Sequence, residues 1–314
     1  MQKSNSQATT FSGFGRRGLS RREFLATAGA AALAGPGIVA AEGKPQLPRR
    51  AIPGTDLYLP VVGLGNSNAF REGDMATSTR MIATLNDYGG AYVDCSGESR
   101  FVVAEVVANS GLADEIFMGT YFSGADDQAS RAEARALLDI TGKPMLDLMH
   151  GYPEDAEPNW SRFRAWKEEG LTRFIGVARH RSEYYQTMIR MMESGTVDCL
   201  QVNYSLLEPE AAERVLPVAQ EHDVAVMINR PFINGQYFDI VRGHTLPEWA
   251  ADFDCESWAE FSLKFILSHP AVNCVLTETA NPRHLAENLG AGSGALPDEG
   301  QRRRMLAVMR EIAG

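Results

Sequence analysis

The chain has 314 residues, 44% of them hydrophobic and 22% charged, with a formal net charge of −10 and a pI of about 5.2. That is enough apolar chain for a sizeable core, and the acidic balance excludes a nucleic-acid partner, because phosphate binding needs a basic face. The four cysteines, Cys95, Cys199, Cys255 and Cys274, show neither CxxC nor metal-ligand spacing. Cys199 and Cys274 fall in apolar runs and read as buried thiols rather than disulfide partners.

In chain order, residues 1–19 are polar and basic with no acidic residue. Ser20-Arg21-Arg22-Glu23-Phe24-Leu25 follows, then a weakly apolar run from Ala26 to Ala34, a break at Gly35-Pro36-Gly37, and the small residues Val39-Ala40-Ala41. This segment resembles a twin-arginine export signal with cleavage after Ala41. The resemblance divides the chain into a signal peptide, 1–41, and a folded domain, 42–314. It implies the twin-arginine export machinery as a partner and the periplasm as destination. The apolar run is too short to span a bilayer, and no later segment is long and apolar enough. Because that route carries folded proteins, a periplasmic address does not require disulfides.

Beyond a Pro-containing link, Lys44 to Pro48, short apolar runs alternate with helical stretches. Strands are expected at Pro60–Leu64, Ala91–Asp94, Ile116–Thr120, Leu146–Met149, Phe174–Val177, Cys199–Val202, Ala225–Ile228 and Asn273–Leu276. Helices are expected at Ala76–Asn86, Ser99–Asn109, Ser130–Leu138, Trp160–Glu169, Glu183–Met192, Pro209–Glu221, Trp258–Ser268, Pro282–Leu289 and Asp298–Ile312. This alternation over one domain's length predicts a single (β/α)8 TIM barrel, an α/β fold. A doubly wound sheet would carry a Gly-rich phosphate turn after its first strand. Here Gly63-Leu64-Gly65-Asn66 lacks the third glycine, and the pattern shows no helix after it. The longest irregular connection, Ile233 to Glu256, is expected to form a lid over the barrel mouth.

In a barrel, chemistry comes from the residues just after each strand. Here these are Asn66, Asp94, Tyr121, His150 with Tyr152, Arg179 with His180, Gln201 with Asn203, Asn229 with Arg230, and Glu278. Asp94 could simply cap the next helix. A polar residue at nearly every strand end favours a pocket of convergent groups instead. His150, His180 and Asp94 could meet, but no HxH or ExxH spacing supports a metal, and none is expected.

Six stretches then carry a family resemblance over nearly all of residues 50–312. They are Gly54-Thr55-Asp56-Leu57 with Val62-Gly63-Leu64-Gly65, Tyr92-Val93-Asp94-Cys95-Ser96, Ile175-Gly176-Val177-Ala178, Gln201-Val202-Asn203-Tyr204, Arg230-Pro231-Phe232-Ile233-Asn234-Gly235, and Asn281-Pro282-Arg283-His284-Leu285-Ala286-Glu287-Asn288-Leu289. In that order and spacing they resemble the aldo/keto reductase superfamily. The resemblance implies hydride transfer between a nicotinamide cofactor and a carbonyl, with a Tyr general acid tuned by a Lys and a His, and an Asp holding the Lys.

Residue by residue, Asp94 matches the Asp. Ser96 falls at the Tyr position, Tyr121 at the Lys position and Tyr152 at the His position, with His150 two residues before it. Ser96 is a poor general acid, so a relocated acid, Tyr121 or Tyr152 with His150 beside them, is one reading. The other is a non-redox pseudoenzyme or small-ligand-binding barrel. The resemblance places the cofactor against Gln201, Asn229, Arg230, Glu278, His284 and Asn288. Gln201 matches the nicotinamide-holding position, and Asn229 replaces the aromatic on which the ring stacks. Glu278 stands where NADP users often place a Lys, and a carboxylate there repels a 2′-phosphate, which favours NAD over NADP.

Overall fold

The computed structural model describes residues 46–314. The twin-arginine segment and the cleavage site after Ala41 lie outside the described residues. Ten strands are present: β1 (Arg49–Ala51), β2 (Tyr58–Pro60), β3 (Val62–Leu64), β4 (Tyr92–Cys95), β5 (Phe117–Tyr121), β6 (Leu146–Gly151), β7 (Thr172–Arg179), β8 (Cys199–Asn203), β9 (Ala225–Asn229) and β10 (Val272–Thr277). β3 to β10 form a closed barrel of parallel strands in sequence order, with β10 pairing back onto β3. This is a single (β/α)8 barrel, as the alternating pattern predicts. β1 and β2 pair antiparallel as a hairpin.

Two apolar layers hold it. Inside the barrel, Tyr92, Leu148, Phe174, Cys199, Ala225, Met227, Cys274 and Leu276 pack together, and Ile52 and Leu59 of the hairpin segment join them. Outside, the other faces of the same strands meet the helices: Val93, Met149, Val177 and Val226 share a cluster with Val103, Leu137, Phe163 and Met192. A parallel strand buried on both faces reads as a continuous apolar run, which is why all eight barrel strands stand out in the sequence. All four cysteines are buried and free. Among the described residues no helix is long and apolar enough to cross a membrane.

Four local expectations are corrected. A short helix, Asn68–Arg71, does follow the Gly65 turn. Ser67 starts it: its Oγ accepts from the Ala69 amide at 3.2 Å and donates to the Thr279 carbonyl at 2.7 Å. The helix expected at Trp160 begins at Pro153, because proline is preorganised for a first helical position and Glu154 and Asp155 suit the first turn. The stretch Pro209–Glu221 is divided into a 3-10 turn, Glu210–Glu213, and a helix, Val215–Glu221.

The connection Ile233 to Glu256 is not an irregular lid. It contains the helix Gln236–Ile240 and the 3-10 helix Glu248–Phe253, anchored by the buried Tyr237, Val241, Ala250 and Phe253.

One glycine makes the top layer of the barrel possible. A Cβ on Gly119 of β5 would lie 2.6 Å from Asp94 Oδ1 and 2.7 Å from Tyr92 Oη. Both atoms sit on the neighbouring strand, which pairs Asp94 with Gly119. Gly119→Ala is therefore expected to lower unfolding stability by about 1–3 kcal/mol through overpacking. It should also weaken any ligand bound at the mouth. Chemical denaturation checks this, and an unchanged midpoint would contradict it.

Candidate active site at the barrel mouth

Each parallel strand delivers its last side chain to the same end of the barrel. There Asp94, Ser96, Tyr121, Tyr152, Arg179, His180, Gln201, Asn229, Arg230 and Glu278, among others, line one cavity of about 190 Å³. Asp94, Tyr121, Tyr152 and Gln201 thus share a wall, although they come from four segments spread over more than a hundred residues. His150 is placed differently. It is fully buried, with its ring centroid 4.0 Å from that of Tyr121, and its Nε2 lies 3.1 Å from Asp94 Oδ1. That approach lacks hydrogen-bond alignment, and neither ring nitrogen has a hydrogen-bond partner. His150 supports Tyr121 and Asp94 from behind rather than facing the cavity.

The two phenols are in different environments. The Tyr121 hydroxyl donates to Gln201 Oε1 at 2.6 Å. Burial first, and then the negative charge of Asp94, push its pKa well up. Tyr152 lies beside it, ring centroids 5.1 Å apart. Burial also pushes Tyr152 up, but the Arg179 guanidinium, 4.5 Å from its ring centroid, pulls the other way. Arg179 ends β7, is paired with Glu154, and also covers the Tyr184 ring at 4.9 Å. His180, next along, is pushed down by burial and then by the charges of Arg230, Arg179 and Arg181.

On one side the mouth opens into a groove. A cavity of about 520 Å³ shares Arg71, Arg230, Asn234 and Glu278 with the mouth. A third, of about 300 Å³, continues it through Phe232, Phe238 and Thr279 to His284, Glu287 and Asn288. All six residues expected at the cofactor therefore line one connected path: Gln201 and Asn229 at the mouth, Arg230 and Glu278 in the middle, His284 and Asn288 at the far end. The floor is a loop of unusual backbone. Arg230, Ile233 and Asn234 have φ of 50°, 48° and 53°, a left-handed conformation that costs roughly 1–3 kcal/mol per residue without glycine.

On the opposite side a cavity of about 400 Å³ shares Ser96, Tyr121 and Tyr152 with the mouth and is bordered by Arg100, Ser130, Glu133 and Asp155.

Four buried atoms on described residues lining the mouth have no partner: the donors Arg179 Nε and Arg230 Nε, and a carboxamide pair, Gln201 Nε2, a donor, and Asn229 Oδ1, an acceptor. The sister atoms of that pair are engaged with each other, Asn229 Nδ2 donating to Gln201 Oε1 at 3.2 Å. A donor and an acceptor left side by side match a primary carboxamide, so the residues present fit the nicotinamide amide. Among the described residues no group of three or more His, Cys, Asp or Glu could hold a metal ion.

Sequence reasoning missed Arg71, which reaches the mouth from the short helix and lies 3.6 Å from Glu278, as well as Phe238 and Glu287 in the groove. The Ser67 cap before Asn68-Ala69-Phe70-Arg71 was the available signal for the first. Arg179 stood in the ring of strand-end residues, but its stacking on Tyr152 was not visible.

Comparison with known proteins agrees with the barrel fold. The aldo/keto reductase family profile matches residues 62–303. An aldo-keto reductase of Mycolicibacterium smegmatis is 27% identical over 250 residues, covering 74% of this chain and 82% of that protein. Two solved structures share the fold at 18% identity. The holo form of aldo-keto reductase AKR11C1 from Bacillus halodurans has a TM-score of 0.65 over 84% of this chain and 96% of its own. An aldo-keto reductase from Klebsiella pneumoniae in complex with NADPH has a TM-score of 0.66 over 85% and 95%. The chain belongs to the aldo/keto reductase family.

Proposed function

We propose that this chain is a nicotinamide-linked oxidoreductase that interconverts a small carbonyl compound and its alcohol at the barrel mouth. The observation that carries this reading is the unpartnered pair, Gln201 Nε2 and Asn229 Oδ1, at the inner end of a groove that continues past Arg230 and Glu278 to Asn288. When bound, a nicotinamide nucleotide supplies or accepts a hydride there. The chain's own residues do the rest. Gln201 and Asn229 hold the carboxamide and so fix which face of the ring meets the substrate. Tyr121, bonded to Gln201, keeps that amide in place. Arg71 and Arg230 flank the middle of the groove and would supply positive charge for a pyrophosphate bound there. The cavity beside Arg100 and Asp155 receives the remainder of the substrate.

Charge at the groove supports NAD over NADP. Glu278 in the middle of the groove and Glu287 at its far end border the third cavity, where a 2′-phosphate would meet both carboxylates, offset in part by His284. Carboxylates also accept hydrogen bonds from a free ribose diol. NAD is expected to bind at least about tenfold more tightly than NADP, a difference of about 1.4 kcal/mol. Gln201→Leu should weaken both about equally. Fluorescence titration of the purified chain, followed by turnover with a panel of small aldehydes and ketones, checks this. Nucleotide binding with no turnover would favour the pseudoenzyme reading, and no binding at all would remove the redox reading.

The motif Ser20-Arg21-Arg22-Glu23-Phe24-Leu25 supports export as a folded protein to the periplasm, with the nucleotide loaded beforehand, since that compartment keeps no free pool of it. Replacing Arg21 and Arg22 together with Lys should leave the full-length chain in the cytoplasmic fraction. Unchanged appearance in the periplasm would contradict this.

A further inference from the structure

We propose that Tyr152 is the proton donor of this site and that Arg179, stacked on its ring, is the cation that supports it in place of the lysine the family uses. This rests on the hydride-transfer reading and assigns its acid.

Three observations separate Tyr152 from Tyr121. The Tyr121 hydroxyl is already spent on Gln201, and Asp94 is its foremost charged neighbour. Among the described residues no lysine lines the mouth beside it, and Tyr121 itself stands where the family resemblance places the lysine. Both phenols line the mouth and the side cavity, but the Tyr152 hydroxyl has no side-chain hydrogen bond among the described residues and is free to meet a substrate oxygen there. Arg179 lies over its face at 4.5 Å, within the range of a cation–π contact.

Arg179 is held in place by its neighbours. Its side chain is 14% exposed, it is gripped between the Tyr152 and Tyr184 rings, and Glu154 pairs with it. The register that sets Gly151 of β6 opposite Val177 of β7 brings the two residues together. The charged groups that act on Tyr152 are the cation Arg179 and the carboxylates Asp94, Glu154 and Asp155, of which Glu154 also pairs with Arg179. Arg179 is the one that favours the phenolate.

In reduction, the carbonyl carbon gains a hydride from the reduced nicotinamide nucleotide, and its oxygen takes the Tyr152 proton. The phenolate left beside Arg179 recovers a proton from solvent at the open mouth. In oxidation the same phenolate accepts the alcohol proton. Arg179 touches neither substrate nor reacting atoms and is a positioning residue. Removing it raises the phenol's pKa, so the pH at which oxidation rises and reduction falls moves upward. Removing Glu154 frees the guanidinium's charge and moves it downward.

The first test needs no cofactor. Ultraviolet difference titration of wild type against Tyr152→Phe isolates the ionisation of this phenol among the nine tyrosines. It should shift upward by about one pH unit or more in Arg179→Met, as loss of an adjacent opposite charge requires. It should return close to wild type in Arg179→Lys and fall in Glu154→Gln. The second test is turnover. Tyr152→Phe should lower kcat about a hundredfold or more while nucleotide affinity is kept. Tyr121→Phe should chiefly weaken nucleotide binding, by releasing Gln201. The pH profile in Arg179→Met should move with the titration.

Wild-type turnover by Tyr152→Phe, or an unmoved titration in a folded Arg179→Met, would overturn the proposal. Absence of any turnover in the wild type would overturn the hydride-transfer reading instead, while the titration still reports on the Arg179–Tyr152 pair.

Discussion

A carboxylate held in the buried top layer of the barrel sets the terms for everything around it. Asp94 is 4% exposed, accepts from Tyr92 Oη at 3.3 Å and faces His150 Nε2 at 3.1 Å. Burying such a group costs several kcal/mol unless polar partners surround it. The chain meets that cost with a phenol, an imidazole and the empty space above Gly119. Among the described residues no lysine lines the mouth beside this Asp, where Tyr121 stands. Asp94 therefore discourages ionisation of Tyr121, and the cation beside a mouth phenol is found two strands further round the barrel, at Arg179.

The same geometry orders the rest of the mouth. Tyr121, kept neutral, serves as a donor to Gln201 and fixes its carboxamide. Gln201 in turn engages Asn229, and the two present one spare donor and one spare acceptor. From there the groove runs over the strained Arg230–Gly235 backbone toward Asn288. A chain of contacts thus links the buried carboxylate to the groove, and a chain of stacked rings links it to the side cavity.

The barrel was readable because its strands are short apolar runs, each ending on a polar residue, with amphipathic stretches between them. The polar ends also announced most of the mouth, including Asp94, Tyr121, Tyr152 and Gln201. What escaped depends on contacts that leave no periodic trace. Asn68–Arg71 is too short to show a helical period, so Arg71 was not foreseen. The connection from Ile233 to Glu256 looked irregular because its helices are brief, although Tyr237 and Phe253 anchor it in the core. His150 looked like a mouth residue from its place near the end of β6, yet alternation of side chains along the strand turns it inward. The stacking of Arg179 on Tyr152 depends on the register between β6 and β7, which sequence patterning does not reveal.

The central claim is that Gln201 and Asn229 form the seat of a nicotinamide carboxamide. A crystal structure of the chain grown with NAD tests it most directly. The account predicts the carboxamide within hydrogen-bond distance of Gln201 Nε2 and Asn229 Oδ1, with the rest of the dinucleotide running past Arg230 toward Asn288. Density for the nucleotide elsewhere on the barrel, or a mouth filled by a different ligand while NAD stays in solution, would contradict it.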